Sequence, residues 1–166
     1  MKDMPIQIDI SAPCTLWADA VPDIKNLTQS TVETTLRNVP ALRGFTLELS
    51  LLLTDNEQIH HLNKVYRFKD KPTNVLSFPQ IDWTDPPEKG IPVLLGDIIL
   101  AFETIEKEAK EQKKSFTDHL SHLLAHGTLH LCGYDHENDE DAEIMEGLEI
   151  KILTALGVKN PYQDHD

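Results

Sequence analysis

The sequence predicts an α+β (mixed α/β) fold, in which helices pack over a small, mostly parallel mixed sheet of about four strands. Three observations predict this class. Short apolar runs with the period of strands alternate along the chain with longer segments of helical spacing. Residues typical of helix N-termini precede several of those longer segments. The length of 166 residues, of which 40% are hydrophobic, suits one core, so we expect a single domain over residues 1–166.

Four segments have the composition of strands. The alternation in PIQIDIS predicts a first strand from Pro5 to Ser11. TLELSLLL, from Thr46 to Leu53, alternates at its start and is apolar at its end, as in a strand buried on both faces. NVLSFP predicts a short strand over 74–79, and VLLGDIILA predicts the most apolar strand, from Val93 to Ala101. Between these two, QIDWTDPPEKGIP contains three prolines and a glycine and predicts an exposed loop.

Two helices are predicted in the first half of the chain. The first covers about 23–38 and ends near Pro40, because proline disfavours helix continuation. TDNE, from Thr54 to Glu57, has the form of a capping box. It predicts a second helix over about 56–66.

Three helices are predicted in the second half. One covers about 103–114, and SFTD, over 115–118, predicts the N-terminal cap of the next. The last covers about 140–156. Its apolar residues four apart form one stripe that should face the core, and a glycine stops it: Ile144, Leu148, Ile152 and Gly157.

The charge distribution is uneven. A net charge of −13 argues against broad attraction to nucleic acid, since non-specific affinity comes largely from Lys and Arg. However, KVYRFKDK, over 64–71, contains four basic residues and one acidic residue, whereas 135–149 contains eight acidic residues and no basic one. A local basic site on an acidic body is therefore compatible with the sequence.

The chain lacks the usual signals for export. No apolar run is long enough to cross a membrane, and the start, MKDMPIQIDI, has no apolar signal-peptide centre. Cys14 and Cys132 form no metal or redox pair motif and are interpreted as reduced thiols. We therefore expect a cytoplasmic protein that does not bind a membrane.

The segment HGTLHLCGYDH, over 126–136, has the spacing of a metal site. His126 and His130 are four apart, so a helix places both imidazoles on one face. Gly133 stands where such a helix would end, and a turn there would bring His136 back as a third ligand. Three imidazoles suit one Zn²⁺ or another first-row divalent metal and leave the fourth position open for water, as in catalytic zinc sites.

The same segment differs from the zinc-protease pattern H-E-x-x-H-x-x-G-x-x-H at one residue. Gly127 occupies the position of the glutamate that deprotonates the attacking water in such proteases. A zinc metalloprotease or other zinc hydrolase remains an alternative only if Asp135 or Glu137 replaces that base. Asp135 and Glu137 flank His136, so either could orient an imidazole or accept a proton, but both are equally compatible with a solvated surface. His122, one turn before His126, and to a lesser extent His119 are candidates for orienting a ligand.

A second segment, YRFKDKPTNVLSFP, over 66–79, combines basic residues with turn formers. Basic residues at the end of a helix interact favourably with its negative pole, which by itself explains Lys64, Arg67 and Lys69. Asn74 and Ser77 are compatible with simple turn formation. Composition alone therefore does not assign this segment a substrate.

HGTLHLCGYDH, YRFKDKPTNVLSFP and LLGDI together resemble the bacterial YbeY family of metal-dependent endoribonucleases, which are rRNA maturation factors. EKEAKEQ and EIMEGLEIKIL agree in order and spacing, so the resemblance covers about residues 45–156. It implies that His126, His130 and His136 are the zinc ligands and that Arg67 is the functionally important arginine. Lys69 and Lys71 would then position the RNA backbone. Cys132 departs from the family, in which an aliphatic residue is usual.

The resemblance also implies a function. It is that of a single-strand-specific endoribonuclease in rRNA processing, namely maturation of the 16S rRNA 3′ end, and in ribosome quality control. The implied partners are single-stranded RNA, rRNA, and the ribosomal small subunit or its assembly factors, with no DNA expected. Attack by activated water and attack by a ribose 2′-hydroxyl both stay open. A third alternative is a non-catalytic ribosome-assembly factor whose zinc is structural, with Cys132 closing the fourth position.

Overall fold

The sheet contains four strands, three of them parallel. The structure is a computed structural model that describes residues 5–162. The strands are β1 (Ile6–Ser11), β2 (Leu47–Thr54), β3 (Val75–Pro79) and β4 (Val93–Ala101), in the order β1-β2-β4-β3. β1, β2 and β4 are parallel, and β3 pairs antiparallel with β4 at one edge. The predicted fold class, a mostly parallel mixed sheet with helices over it, is confirmed.

Six helices surround this sheet in the described part of the chain. They are α1 (Leu16–Ala20), α2 (Ile24–Arg37), α3 (Asn56–Arg67), α4 (Phe102–Glu111), α5 (Phe116–Leu131) and α6 (Asp139–Ala155), with a 3₁₀ turn at Pro40–Leu42. The five predicted helices are all present within a few residues of their expected bounds. α1 and the 3₁₀ turn were not predicted.

The cap of α3 differs from the expected capping box. Thr54 is the last residue of β2, and the N-cap is Asp55, whose carboxylate accepts a hydrogen bond from the Gln58 amide at 2.9 Å. The Thr54 hydroxyl instead bonds the Gln58 side chain at 2.6 Å. The predicted cap of α5 is confirmed, since the Ser115 hydroxyl accepts from the Asp118 amide at 3.1 Å.

The helices lie on both faces of the sheet. Alternate leucines of β2 point to a large core beneath α2, α5 and α6, whereas Ile59 of α3 packs against Leu76 and Ile99 on the opposite face. α5 crosses β3 and β4 and touches three other helices, α2, α4 and α6. Burial on nearly all sides explains why α5 is apolar around most of its circumference. The histidines that remain on it therefore require an explanation.

The buried stripe of α6 is rotated from the expected one. Met145, Glu149, Ile152 and Leu153 are buried, whereas Ile144, which was predicted to face the core, is 54% exposed. Leu148 is partly buried against the core. A run rich in leucine and isoleucine offers two neighbouring stripes, and packing on α5 selects the one that carries a carboxylate. The prediction for Ile144 was therefore wrong.

Candidate metal centre

Three histidine side chains converge where α5 ends. His126 and His130 lie one helical turn apart, and His136 follows the turn at Gly133, whose φ of 95° is in the left-handed region. Their ligand nitrogens all lie within 4.8 Å of one another, a spacing that allows them to hold one metal ion. The structure therefore brings together the three residues that the sequence predicted as ligands.

A buried carboxylate fixes the orientation of His126. Glu149 Oε2 lies 2.7 Å from His126 Nδ1, and Glu149 is fully buried. Burial raises the pKa of Glu149, but hydrogen bonds from His122, His126 and Tyr162 outweigh it and lower this pKa to about 2. An ionised carboxylate can only accept, so His126 carries its proton on Nδ1 and presents the lone pair of Nε2 to His130, 3.0 Å away. This is the tautomer that binds a metal.

The second candidate ligand, His130, is held in its neutral form. Burial lowers the pKa of His130, and the neighbouring His126 and His136 lower it further. Neutral imidazole is the form that coordinates a metal. The three-imidazole donor set, the tautomer of His126 and the neutral form of His130 therefore fit a divalent ion of the zinc type.

Glu149 connects further side chains to the centre. His122 Nε2 lies 2.9 Å from Glu149 Oε1, and the Tyr162 hydroxyl donates to the same oxygen at 2.6 Å. His122 was a predicted orienting residue. Its link to His126 is the shared Glu149 carboxylate, and the centroids of the two rings lie 6.4 Å apart. Sequence reasoning missed Glu149 and Tyr162. The available signal was an acidic residue within the apolar spacing of α6.

Gly127 faces the sheet rather than the three histidines. A Cβ atom at this position would lie 2.9 Å from Ser77 Oγ and 3.4 Å from Val75 Cγ2. The Ser77 hydroxyl donates to the Gly127 carbonyl at 3.3 Å. The position that carries the base in zinc proteases thus faces β3, and a side chain there would require the Ser77 hydroxyl to shift.

Arg67 reaches β3 from the last turn of α3. One guanidinium N–H donates to the Ser77 carbonyl, and the group lies over the Phe78 ring with 5.0 Å to its centroid. Ser77 in turn contacts Gly127, the neighbour of His126. Arg67 is therefore linked to the metal centre by a short path through one residue of β3.

The loop after α3 presents both charge and aromatic surface. Lys69 and Lys71 are exposed, and the buried Asn63 holds their backbone by accepting from the Lys69 amide at 3.2 Å and donating to the Lys71 carbonyl at 2.9 Å. Phe68 is 89% exposed and has a φ of 60°. The neighbouring Tyr66 is 61% exposed.

The remaining candidates occupy structural positions. The Asp135 carboxylate accepts from the Glu137 amide at 3.1 Å, and Glu137 is exposed. Buried His119 lies 2.8 Å from Glu108 Oε1, to which the Asn74 amide also donates, so it ties α5 to α4 and to the start of β3. Asp135 and His119 thus have contacts that do not involve the three converging histidines.

Cys132 packs into the main core beside Trp83 and Tyr134. Burial raises the pKa of its thiol to about 12, so it stays protonated near neutrality. It does not belong to the group of possible ligands found in the described residues. Closure of a structural zinc site by Cys132 therefore has no support in this geometry.

The family model of endoribonuclease YbeY matches residues 17–157. The chain belongs to the endoribonuclease YbeY family. It is 47% identical over 158 residues to the endoribonuclease YbeY of Paramagnetospirillum magneticum, which covers 95% of this chain and 96% of that protein. Its identity to that of Rhodospirillum rubrum is 45% over 168 residues, covering 98% of this chain and 84% of the other.

YbeY family membership confirms the resemblance that the motifs predicted and the enzyme class, an endoribonuclease. The match begins at residue 17, so it reaches further towards the N-terminus than the expected 45–156. A solution structure of a Thermotoga maritima protein has a TM-score of 0.55, with 24% identity and 97% coverage of both chains, which shows a shared fold. Among residues 5–162, no helix is both long enough and apolar enough to span a membrane.

Proposed function

We propose that this protein is a metal-dependent endoribonuclease that cuts single-stranded RNA, with Zn²⁺ or another first-row divalent ion held by His126, His130 and His136. The observation that carries the proposal is the three-histidine cluster, with its tautomer fixed by Glu149, in a member of the YbeY family. His126, His130 and His136 would hold the ion, and the ion would supply activated water near neutral pH, so that no glutamate would be needed at position 127.

Arg67 is proposed to stabilise the charge that develops on the phosphate. Its guanidinium is exposed, and the Ser77 carbonyl and the Phe78 ring restrain its plane. The N–H groups not used by Ser77 can bind two phosphate oxygens at once. Capping of α3 accounts for the charge of Arg67, and the Ser77 and Phe78 contacts would hold its guanidinium in one orientation for a phosphate.

The preference for single strands is proposed to come from the loop after α3. Bases of single-stranded RNA stack on exposed aromatic rings, whereas paired bases are not available for such stacking. Tyr66 and Phe68 offer exposed rings, and Lys69 and Lys71 are exposed beside them. We assign Lys69 and Lys71 to the RNA backbone.

The wider role is proposed from the family alone. We infer that the whole chain acts as one domain in the cytoplasm, in maturation of the 16S rRNA 3′ end and in ribosome quality control, with the small subunit or its assembly factors as partners. The protease alternative has no base at position 127, and the Asp135 carboxylate accepts from the Glu137 backbone amide. It therefore depends on the exposed Glu137 as the base.

The test compares substrates on metal-loaded protein. A labelled RNA oligonucleotide should be cut as a single strand, not cut as a duplex, and an unstructured peptide should stay intact. His126→Ala should lose metal and cleavage together. A 2′,3′-cyclic phosphate at the product end would assign the attack to the 2′-hydroxyl. Peptide cleavage without RNA cleavage would overturn the proposal.

A second comparison isolates Arg67. Arg67→Ala should keep the metal and lose RNA cleavage, and Arg67→Lys should recover little, because an ammonium lacks the planar fork. Arg37→Ala is the matched control, since Arg37 is also an exposed arginine at the end of a helix. If Arg67→Ala cleaves RNA as fast as the wild-type protein does, the role of Arg67 is limited to stabilising the C-terminal end of α3.

A further inference from the structure

A lysine-lined pocket lies beside the first half of α5, on the side away from His136. We call it the lysine pocket; its volume is about 290 Å³, and Lys113, Lys114 and Lys159 line it together with Ser115, Asp118 and His122. Lys113 and Lys114 stand between α4 and α5, and Lys159 follows α6. Among the described residues, none of these three lysines forms a salt bridge.

The pocket has an excess of positive charge in a chain whose net charge is −13. Its lining contains three lysines and one acidic residue, Asp118. Lys114 is half-buried, and burial lowers its pKa while the charge of Asp118 raises it. A partly desolvated ammonium group without an ion pair gains free energy when an anion neutralises it. Within the described residues, the charge of this pocket therefore favours an anion as its ligand.

The pocket is linked to the three-histidine cluster through His122 and Glu149. His122 lines the pocket and bonds the same Glu149 carboxylate as His126, with the two rings 6.4 Å apart. His122 and His126 are separated by one turn of α5, a rise of about 5.4 Å. An anion in the pocket would thus lie a short distance from the metal ligands along one helix face, within reach of a neighbouring unit of one extended chain.

We propose that the lysine pocket binds a backbone phosphate of the RNA strand, adjacent in sequence to the phosphodiester that is cut. This inference rests on the proposed RNA-cleaving function and adds a phosphate subsite to it. The strand then runs from the lysine pocket, past the three histidines, towards Arg67. The acidic start of α6, which follows His136, would repel the backbone and exclude the opposite path.

The first test uses initial-rate kinetics on the metal-loaded protein. Lys114→Gln and Lys159→Gln should each raise KM for single-stranded RNA severalfold, with the effect on KM rather than on kcat. Lys107→Gln is the matched control, because Lys107 is an exposed lysine on α4 outside the pocket lining. The logarithmic slope of RNA affinity against salt concentration should become shallower by about 0.7 for each phosphate that a variant no longer neutralises.

The second test locates the phosphate. In a series of RNAs, one phosphate at a time is replaced by a neutral methylphosphonate. One replacement next to the cut site should raise KM for the wild-type protein and add nothing to the KM of Lys114→Gln. Equal KM and salt slope in the lysine variants and Lys107→Gln would overturn the subsite while RNA cleavage remained. Absence of RNA cleavage by the wild-type protein would instead overturn the proposed function.

Discussion

Glu149 is one side chain on which the geometry of the metal centre depends. Its buried carboxylate accepts from His122, His126 and Tyr162, so it aligns His126, a candidate ligand that lies 23 residues earlier in the chain. Glu149→Gln keeps the shape but can no longer accept from all three donors. Because loss of such a partner weakens metal sites by about 10–100-fold, metal affinity should fall by that factor in a chelator competition assay.

The control for this variant is Glu143→Gln, on an exposed position of the same helix. It removes the same charge from α6 without contacting the three histidines. Its metal affinity should match the wild-type value. If Glu149→Gln binds metal as tightly as Glu143→Gln does, the carboxylate does not align His126.

Phe68 is the second informative residue, because it combines exposure with strain. It has a left-handed backbone, with a φ of 60°, which costs a residue with a Cβ about 1 kcal/mol. Phe68→Gly should therefore retain or slightly raise the free energy of unfolding. RNA binding should weaken by about 1–3 kcal/mol if a base stacks on the ring. Denaturant unfolding and RNA titration of the same samples measure both.

A rescue variant separates stacking from loop geometry at this position. Phe68→Trp keeps an aromatic surface and should restore RNA binding, whereas Phe68→Asn tolerates the left-handed backbone but should not. Equal RNA affinity of the Trp and Asn variants would assign Phe68 no contact with a base.

At the scale of elements, two helical glycines give opposite expectations for one substitution. Gly147 lies on α6 with no atom within 4 Å of an added Cβ, so Gly147→Ala should stabilise the protein by about 1 kcal/mol. At Gly127 the same Cβ meets Ser77 at 2.9 Å, and overpacking costs about 1–3 kcal/mol. Gly127→Ala should therefore lose the helical gain or be less stable than wild type. Urea unfolding of both variants measures the difference, and equal gains would show that β3 yields to the added methyl group.

The elements were predicted where local signals decide them. Ser115 caps α5 as its sequence indicates, and alternation along β2 gives its bounds within one residue. α1 was missed because five residues carry too little periodicity. It exists through Trp17, which is fully buried, donates to the Thr54 carbonyl at 2.9 Å and packs edge-on against Phe102. Such contacts join residues far apart in sequence and leave no local pattern.

The candidate site also contains residues that local sequence predicts and residues that depend on tertiary packing. The three histidines lie within eleven residues, and helical spacing with one glycine predicts their convergence. Glu149 reaches them from another helix, and only packing of α6 on α5 brings it there. The same packing rotates Ile144 to the surface. A site built from one segment is predictable from spacing, whereas the residues that orient it depend on the assembled fold.

At the scale of the whole molecule, a net charge of −13 is reconciled with an RNA substrate by segregation. Two clusters of basic groups are the lysine pocket and the segment from Arg67 at the end of α3 to Lys71, while the start of α6 is acidic. The acidic remainder repels RNA from other surfaces. The affinity of the protein for RNA should therefore fall more steeply with salt concentration than its net charge suggests.

Metal binding should be visible as stability of the whole fold. An ion that binds only the folded chain raises the free energy of unfolding by about 2.7 kcal/mol at a hundredfold excess over Kd. Thermal melts with and without Zn²⁺ should show a rise in Tm for the wild-type protein and for His61→Ala, an exposed histidine of α3. His136→Ala should lose most of that rise. A full rise in this variant would remove His136 from the ligand set.

The pH dependence of the same melts has a defined sign. The folded-state pKa of His130 is lowered, by burial first and then by its two histidine neighbours. Below the ordinary histidine pKa of 6.5 the unfolded chain therefore binds more protons at this residue than the folded chain does. The metal-free protein should accordingly lose stability as the pH falls below that value.

The stabilisation by metal should persist while His130 is neutral and disappear at lower pH, where protons compete for the ligand nitrogens. Melts at a series of pH values measure this, and a metal-induced rise in Tm that grew on acidification would contradict coordination by neutral imidazole.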